Sequence, residues 1–148
     1  MLLPYASWWV GRQEHRILKE GIELTSEEKM WAASVGVQDV DKVRLLYLPM
    51  IPLPVSSITY FVARMLGKPL DVGGMAAQYG IYVVKQSRND PSILVHEMAH
   101  IAQYERMGGI RPFLEQYFEE LFTEGYDNSG MELEARAAAI PYNRPPDR

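Results

Sequence analysis

Cysteine is missing altogether from the 148 residues. Its absence excludes disulfides, thiolate metal sites and a cysteine nucleophile, so any transition metal held here must be bound through nitrogen and oxygen. An excess of one charge is lacking as well. Fifteen Lys and Arg stand against nineteen Asp and Glu, a net charge of −4, and neither sign gathers into a long run, so no nucleic-acid or anionic-membrane partner is expected. Long unbroken apolar runs are also absent. The most hydrophobic stretch, 45–66, is interrupted by Pro49, Pro52 and Pro54 and carries Arg64. A membrane span needs about 20 mostly apolar residues in a row, and a strand, a turn and a helix explain this stretch better. Ahead of Arg12 there is no basic segment and no sustained apolar core, which reads against a signal peptide and for a cytoplasmic chain.

Histidine is scarce, with three in the chain, yet two of them stand four apart in His96-Glu97-Met98-Ala99-His100. At about 100° and 1.5 Å per residue of helix, positions four apart project from one face, so two imidazoles can grip one ion. Glu97 leans over the remaining coordination position, where a general base for a metal-activated water belongs. The helix itself is supported independently. Asp90 can cap it, Pro91 suits the first helical position, and Gly108-Gly109 can end it after Met107. Leu94, Met98 and Ile101 form one apolar row and Val95, Ala99 and Ala102 a second, so the motif is expected on a buried helix over residues 91–107. The plain alternative is two core histidines meeting by chance. His15, in an amphipathic helix expected over 7–20, is the remaining histidine and reads as an exposed or core-edge residue.

A catalytic zinc takes three protein ligands and leaves one position for water. A metzincin would continue with Gly at 103 and His at 106, where this chain has Gln103 and Arg106. No histidine follows His100, so the third ligand is expected to be a downstream carboxylate. Glu105 lies about 140° round the helix from His100 and fails on direction; Asp147 is in the tail. Two candidates remain in Met131-Glu132-Leu133-Glu134-Ala135-Arg136. Glu132 shares a face with Ala135, Arg136 and Ala139, whose small alanines let two helices approach closely, and is the expected ligand. Glu134 points about 200° away and suits a role behind the ligands, as partner of a ligand histidine or of Arg136. Alternatively both are surface charges.

The other elements follow from local signals. Thr25 and Glu28 have the spacing of a capping box for a helix to about 35, ended by Gly36. Residues 43–48 read as a strand, 49–54 as an extended turn, 56–66 as a helix and 68–76 as a glycine-rich loop. Residues 79–84 alternate as a strand feeding the motif helix, either a plain inner strand or an edge strand free to pair with an extended peptide. A helix over 112–122 carries an aromatic stripe read as core. A turn over 125–130 leads to a last, alanine-rich helix over 131–140. The length suits one domain over 1–148, with 1–44 as an N-terminal helical part and 143–148 as a frayed tail.

The pentad followed by Glu132-Leu133-Glu134-Ala135 resembles the gluzincin branch of zinc peptidases. It looks like a minimal relative of the Glu-x-x-Ala-Asp pattern of CAAX-prenyl and heat-shock membrane endopeptidases, and is similar to bacterial zincin-like domains of unknown function. The resemblance spans roughly 79–139. It implies an α+β, zincin-like fold with a small twisted sheet packed on the motif helix. It also implies Zn2+ bound by His96, His100 and Glu132, with Glu97 as base. Arg136 departs from the pattern, standing where those membrane enzymes carry an acidic residue, and their transmembrane helices are missing. The expected function is hydrolysis of a peptide bond in an extended peptide or protein substrate, with Tyr126 as the oxyanion helper. Two rivals are a zincin-fold module that holds a partner without cutting it, and a metal-dependent hydrolase of a non-peptide amide.

Overall fold

The computed structural model describes residues 2–52 and 73–143. The helix expected over 56–66 lies outside them, as does most of the tail. The described residues form a mixed α+β arrangement of five helices and a four-stranded sheet: α1 (Leu2–Glu20), β1 (Ile22–Glu23), α2 (Ser26–Ser34), β2 (Arg44–Leu48), β3 (Gly74–Ala77), β4 (Gly80–Val84), α3 (Pro91–Met107), α4 (Ile110–Glu124) and α5 (Gly130–Ala139). Among these residues no helix is long and apolar enough to cross a membrane.

The strand order is β1-β2-β4-β3, with β2 parallel to β4 and the two outer pairs antiparallel. Both faces of β4 are covered. Ile81 and Val83 join Leu45, Leu94, Val95, Met98 and Ile101 in a core on the α3 side. Tyr82 joins Val10, Ile17 and Phe113 in a second core on the α1 side. Burial on both faces is why the strand reads Ile81-Tyr82-Val83-Val84 without polar interruption. The edge-strand reading of 79–84 is therefore incorrect: β4 is an inner strand, and among the described residues the edges are β1 and, beside β4, β3.

β3 itself corrects the loop expected over 68–76 at residues 74–76; residues 68–72 lie outside the described ones. Its glycines resemble turn residues, but Gly74 is required by close approach, since a Cβ there would stand 3.0 Å from Glu97 Cγ and 3.2 Å from Ile93 Cγ2. The hairpin to β4 turns through Gln78 and Tyr79, with Gln78 at φ 55°. That left-handed conformation favours Gly or Asn, so the turn carries no glycine signal in the sequence.

Local signals elsewhere act as expected. The Thr25–Glu28 capping box is formed, with Glu28 N–H on Thr25 Oγ1 at 3.1 Å and Thr25 N–H on Glu28 Oε1 at 2.8 Å. Asp90 caps α3 through the Ser92 N–H, Pro91 occupies its first turn, and Gly108 closes it at φ 95°. Ten residues of α3 are buried, from Leu94 to Tyr104, so it is a central helix rather than a one-faced surface one. It lies against β3 and β4 and packs most extensively on α5. α4 runs longer than expected at both ends, beginning at Ile110.

Candidate metal centre

His96 and His100 lie one turn apart on α3, their ring centroids 5.0 Å apart. Opposite them α5 presents Glu132, whose carboxylate reaches both: Oε2 is 3.1 Å from His96 Nε2 and Oε1 is 3.1 Å from His100 Nε2. One ligand atom from each of the three residues fits within a span of 4.8 Å. Glu132 comes inward because the buried face of α5 is Met131, Glu132, Ala135 and Ala139, where the alanines admit close helix approach. Ser129 caps α5 through the Glu132 N–H. The Glu120 carboxyl of α4 lies against the backbone at Gly130 and Met131, beside the first turn of α5 that carries Glu132.

The site is enclosed unevenly. The side chain of Glu132 is 3% exposed and that of His96 19%, so solvent reaches the cluster from the His96 side. His100 is walled by the rings of Phe113 and Tyr117 at 6.1 and 6.2 Å. Tyr117 O–H donates to Glu132 Oε1 at 2.8 Å. Burial, then the Glu132 charge, push the Tyr117 phenol well above its ordinary range, which keeps it a donor. The aromatic stripe of α4, read as core, thus also supplies a partner to the carboxylate. Nothing in the one-dimensional pattern separates Tyr117 from its neighbours.

Burial opposes charge on Glu132, yet the hydrogen bonds from His100, His96 and Tyr117 prevail and hold its carboxyl below the usual range. For His100, burial also works against the charge, and the Glu132 and Glu97 carboxylates overcome it, pushing its pKa up to about 9. His100 and Glu132 therefore form an ion pair, with His96 Nε2 on the other carboxylate oxygen; two nitrogens and a carboxylate are a donor set suited to a borderline divalent cation. Glu97, buried beside them, is raised by desolvation despite the histidines and accepts the Ala76 N–H from β3.

Tyr126, at the turn before α5, is partly buried near the cluster. Its phenol is raised by burial and by the Glu132 and Glu97 charges. Arg136, the departure from the gluzincin pattern, bonds the Tyr126 and Asp127 carbonyls, each at 3.0 Å, and lies over the Tyr126 ring at 5.4 Å. It braces that turn rather than pairing with Glu134, which meets Arg106 at 2.8 Å instead. Glu105 points away as its helical angle requires, accepting from Gln38 N–H, Asp39 N–H and Tyr79 O–H. His15 is exposed on α1. No protein-family model matches the chain, and neither a curated protein nor a solved structure does.

Proposed function

We propose that the chain is a zincin-like, zinc-dependent peptidase. The observation that carries this reading is the convergence of His96, His100 and Glu132 within 4.8 Å, with the buried carboxylate of Glu97 beside them. Two imidazoles and a carboxylate suit zinc and leave a fourth position open. A zinc ion held there would supply Lewis acidity, lowering the pKa of a water to about 7 and polarising a carbonyl. Glu97 then takes the proton of the attacking water and delivers it to the leaving amine. Burial raises its pKa above the ordinary carboxylate value, which makes it a stronger base. The Tyr126 hydroxyl is assigned to the developing oxyanion, oriented by the Arg136 brace on its turn.

The edge strand β3 gives the substrate a direction. Gly74 lies against Glu97, and Ala76 bonds it through the backbone. An extended peptide pairing along the outer side of β3 would pass directly over the base. A buried carboxylate that ligates nothing favours hydrolysis over simple partner binding, since such a group is costly to bury without a task. The test is cleavage of an unstructured protein substrate by the wild type, abolished by a chelator and restored by zinc. A zinc-loaded chain that cuts no peptide or protein, with Glu97→Gln indistinguishable from it, contradicts the peptidase reading.

A further inference from the structure

Gln103 has no exposed surface, and a buried primary amide is tolerated only when its hydrogen bonds are made. It stands on α3 three residues after His100 and makes three contacts. Nε2 donates to the Met131 carbonyl at 2.9 Å and to Glu134 Oε2 at 3.1 Å, while Oε1 lies 2.8 Å from His100 Nδ1. The chemistry of the partners fixes which end is which. A carbonyl and a carboxylate only accept, and Glu134 is paired with Arg106 through both oxygens, at 2.8 and 3.0 Å. The NH2 end must therefore face α5, leaving the amide oxygen toward His100. An oxygen only accepts, so the hydrogen between them belongs to His100 Nδ1.

We propose that Gln103 is the positioning residue of the metal centre. It holds His100 with its proton on Nδ1 and its Nε2 turned to the ion, and is itself held by the Glu134–Arg106 pair. The inference rests on the reading of the triad as a metal site. Its physical content is a competition. A neutral His100 with its proton on Nε2 would donate to Glu132 Oε1, 3.1 Å away, closing two ligands on each other and shutting out the ion. An acceptor fixed at Nδ1 disfavours that form. Groups of this kind behind a ligand histidine are worth about 10–100-fold in metal affinity.

The test uses the full chain, zinc competition against a chelating indicator, and nitrogen-correlated NMR of the histidine rings. Gln103→Met fills a similar volume without the acceptor. Its zinc affinity should fall about 10–100-fold, and the slowly exchanging Nδ1 proton of His100, expected in the wild type with and without zinc, should vanish. Gln103→Glu combined with Glu134→Gln keeps an acceptor for His100 and a donor for its partner, at the cost of the donor to the Met131 carbonyl. That pair should recover the protected proton and part of the affinity, which a loss of packing alone would not. Should Gln103→Met fail to fold, the exchanged pair and the wild-type proton decide. Wild type that binds zinc while its His100 Nδ1 proton exchanges freely overturns the inference, as does Gln103→Met binding zinc as tightly as wild type. Wild type that takes up no zinc overturns the metal reading itself and this inference with it.

Discussion

Glu132 is held by three side chains at once: both histidines at 3.1 Å and Tyr117 at 2.8 Å. Each partner has a different role, so the variants should separate. Glu132→Gln removes the charged ligand, and zinc affinity should fall by orders of magnitude while the histidines hold the ion weakly. Tyr117→Phe removes one hydrogen bond behind that ligand, and equilibrium titration should show a smaller loss, about 10-fold. Glu97→Gln should bind zinc as the wild type does while peptide hydrolysis drops about 10²–10⁴-fold, the usual worth of a general base. If it instead loses zinc, Glu97 is a ligand and the assignment of roles is wrong. Spacing made the pentad legible in the sequence, because a helix converts i, i+4 directly into a shared face. Glu132 followed by elimination and by the small residues on its face. Gln103 was equally accessible, one turn beyond His100, but its meaning depends on Met131 and Glu134 of another helix, which no local pattern supplies.

At the scale of elements, two glycines set how closely helices approach the sheet. Gly74 lets α3 bring Glu97 against β3. Gly80 does the same on the opposite face, where a Cβ would stand 2.8 Å from Ile17 Cβ. Ile17 is fully buried, and its Cβ moves only with the backbone of α1. Gly80→Ala should therefore destabilise the fold by about 1–3 kcal/mol, the usual cost of overpacking, measured by denaturant unfolding. A variant as stable as wild type would mean that α1 is free to shift. These approaches also explain what was hard to read. Helices with caps and sharp ends, α2 and α3 above all, were legible because capping is local chemistry between residues two or three apart. β3 was hidden, since its glycines serve contacts with α3 rather than a turn, and its hairpin bends at Gln78 without glycine. β4 looked equally like an inner or an edge strand because only pairing across the chain distinguishes them.

For the molecule as a whole, the charge balance of the cluster ties stability to pH, and metal reverses the trend. His100 titrates at about 9 when folded against 6.5 ordinarily. Without metal, its stabilisation is complete below about 6.5 and lost as pH rises through about 9. Glu132 acts oppositely: its carboxyl is lowered from 4.5, so its contribution holds above that value and is lost as pH falls further. The metal-free chain should be most stable between these limits. Zinc needs His100 without its Nε2 proton, so its binding strengthens as pH rises. Thermal midpoints of chelator-treated protein should thus fall between pH 6.5 and 9, while those of zinc-saturated protein hold or rise. Parallel curves would show that the cluster does not exchange its proton for an ion. The most direct test of the whole account is calorimetric zinc titration of the chelator-treated chain near neutral pH, alongside Glu132→Gln and Glu134→Gln. One zinc per chain is expected for wild type, with a large loss of affinity for Glu132→Gln and a much smaller loss for Glu134→Gln. No zinc uptake by the wild type, or metal lost with Glu134→Gln and kept with Glu132→Gln, would contradict the account.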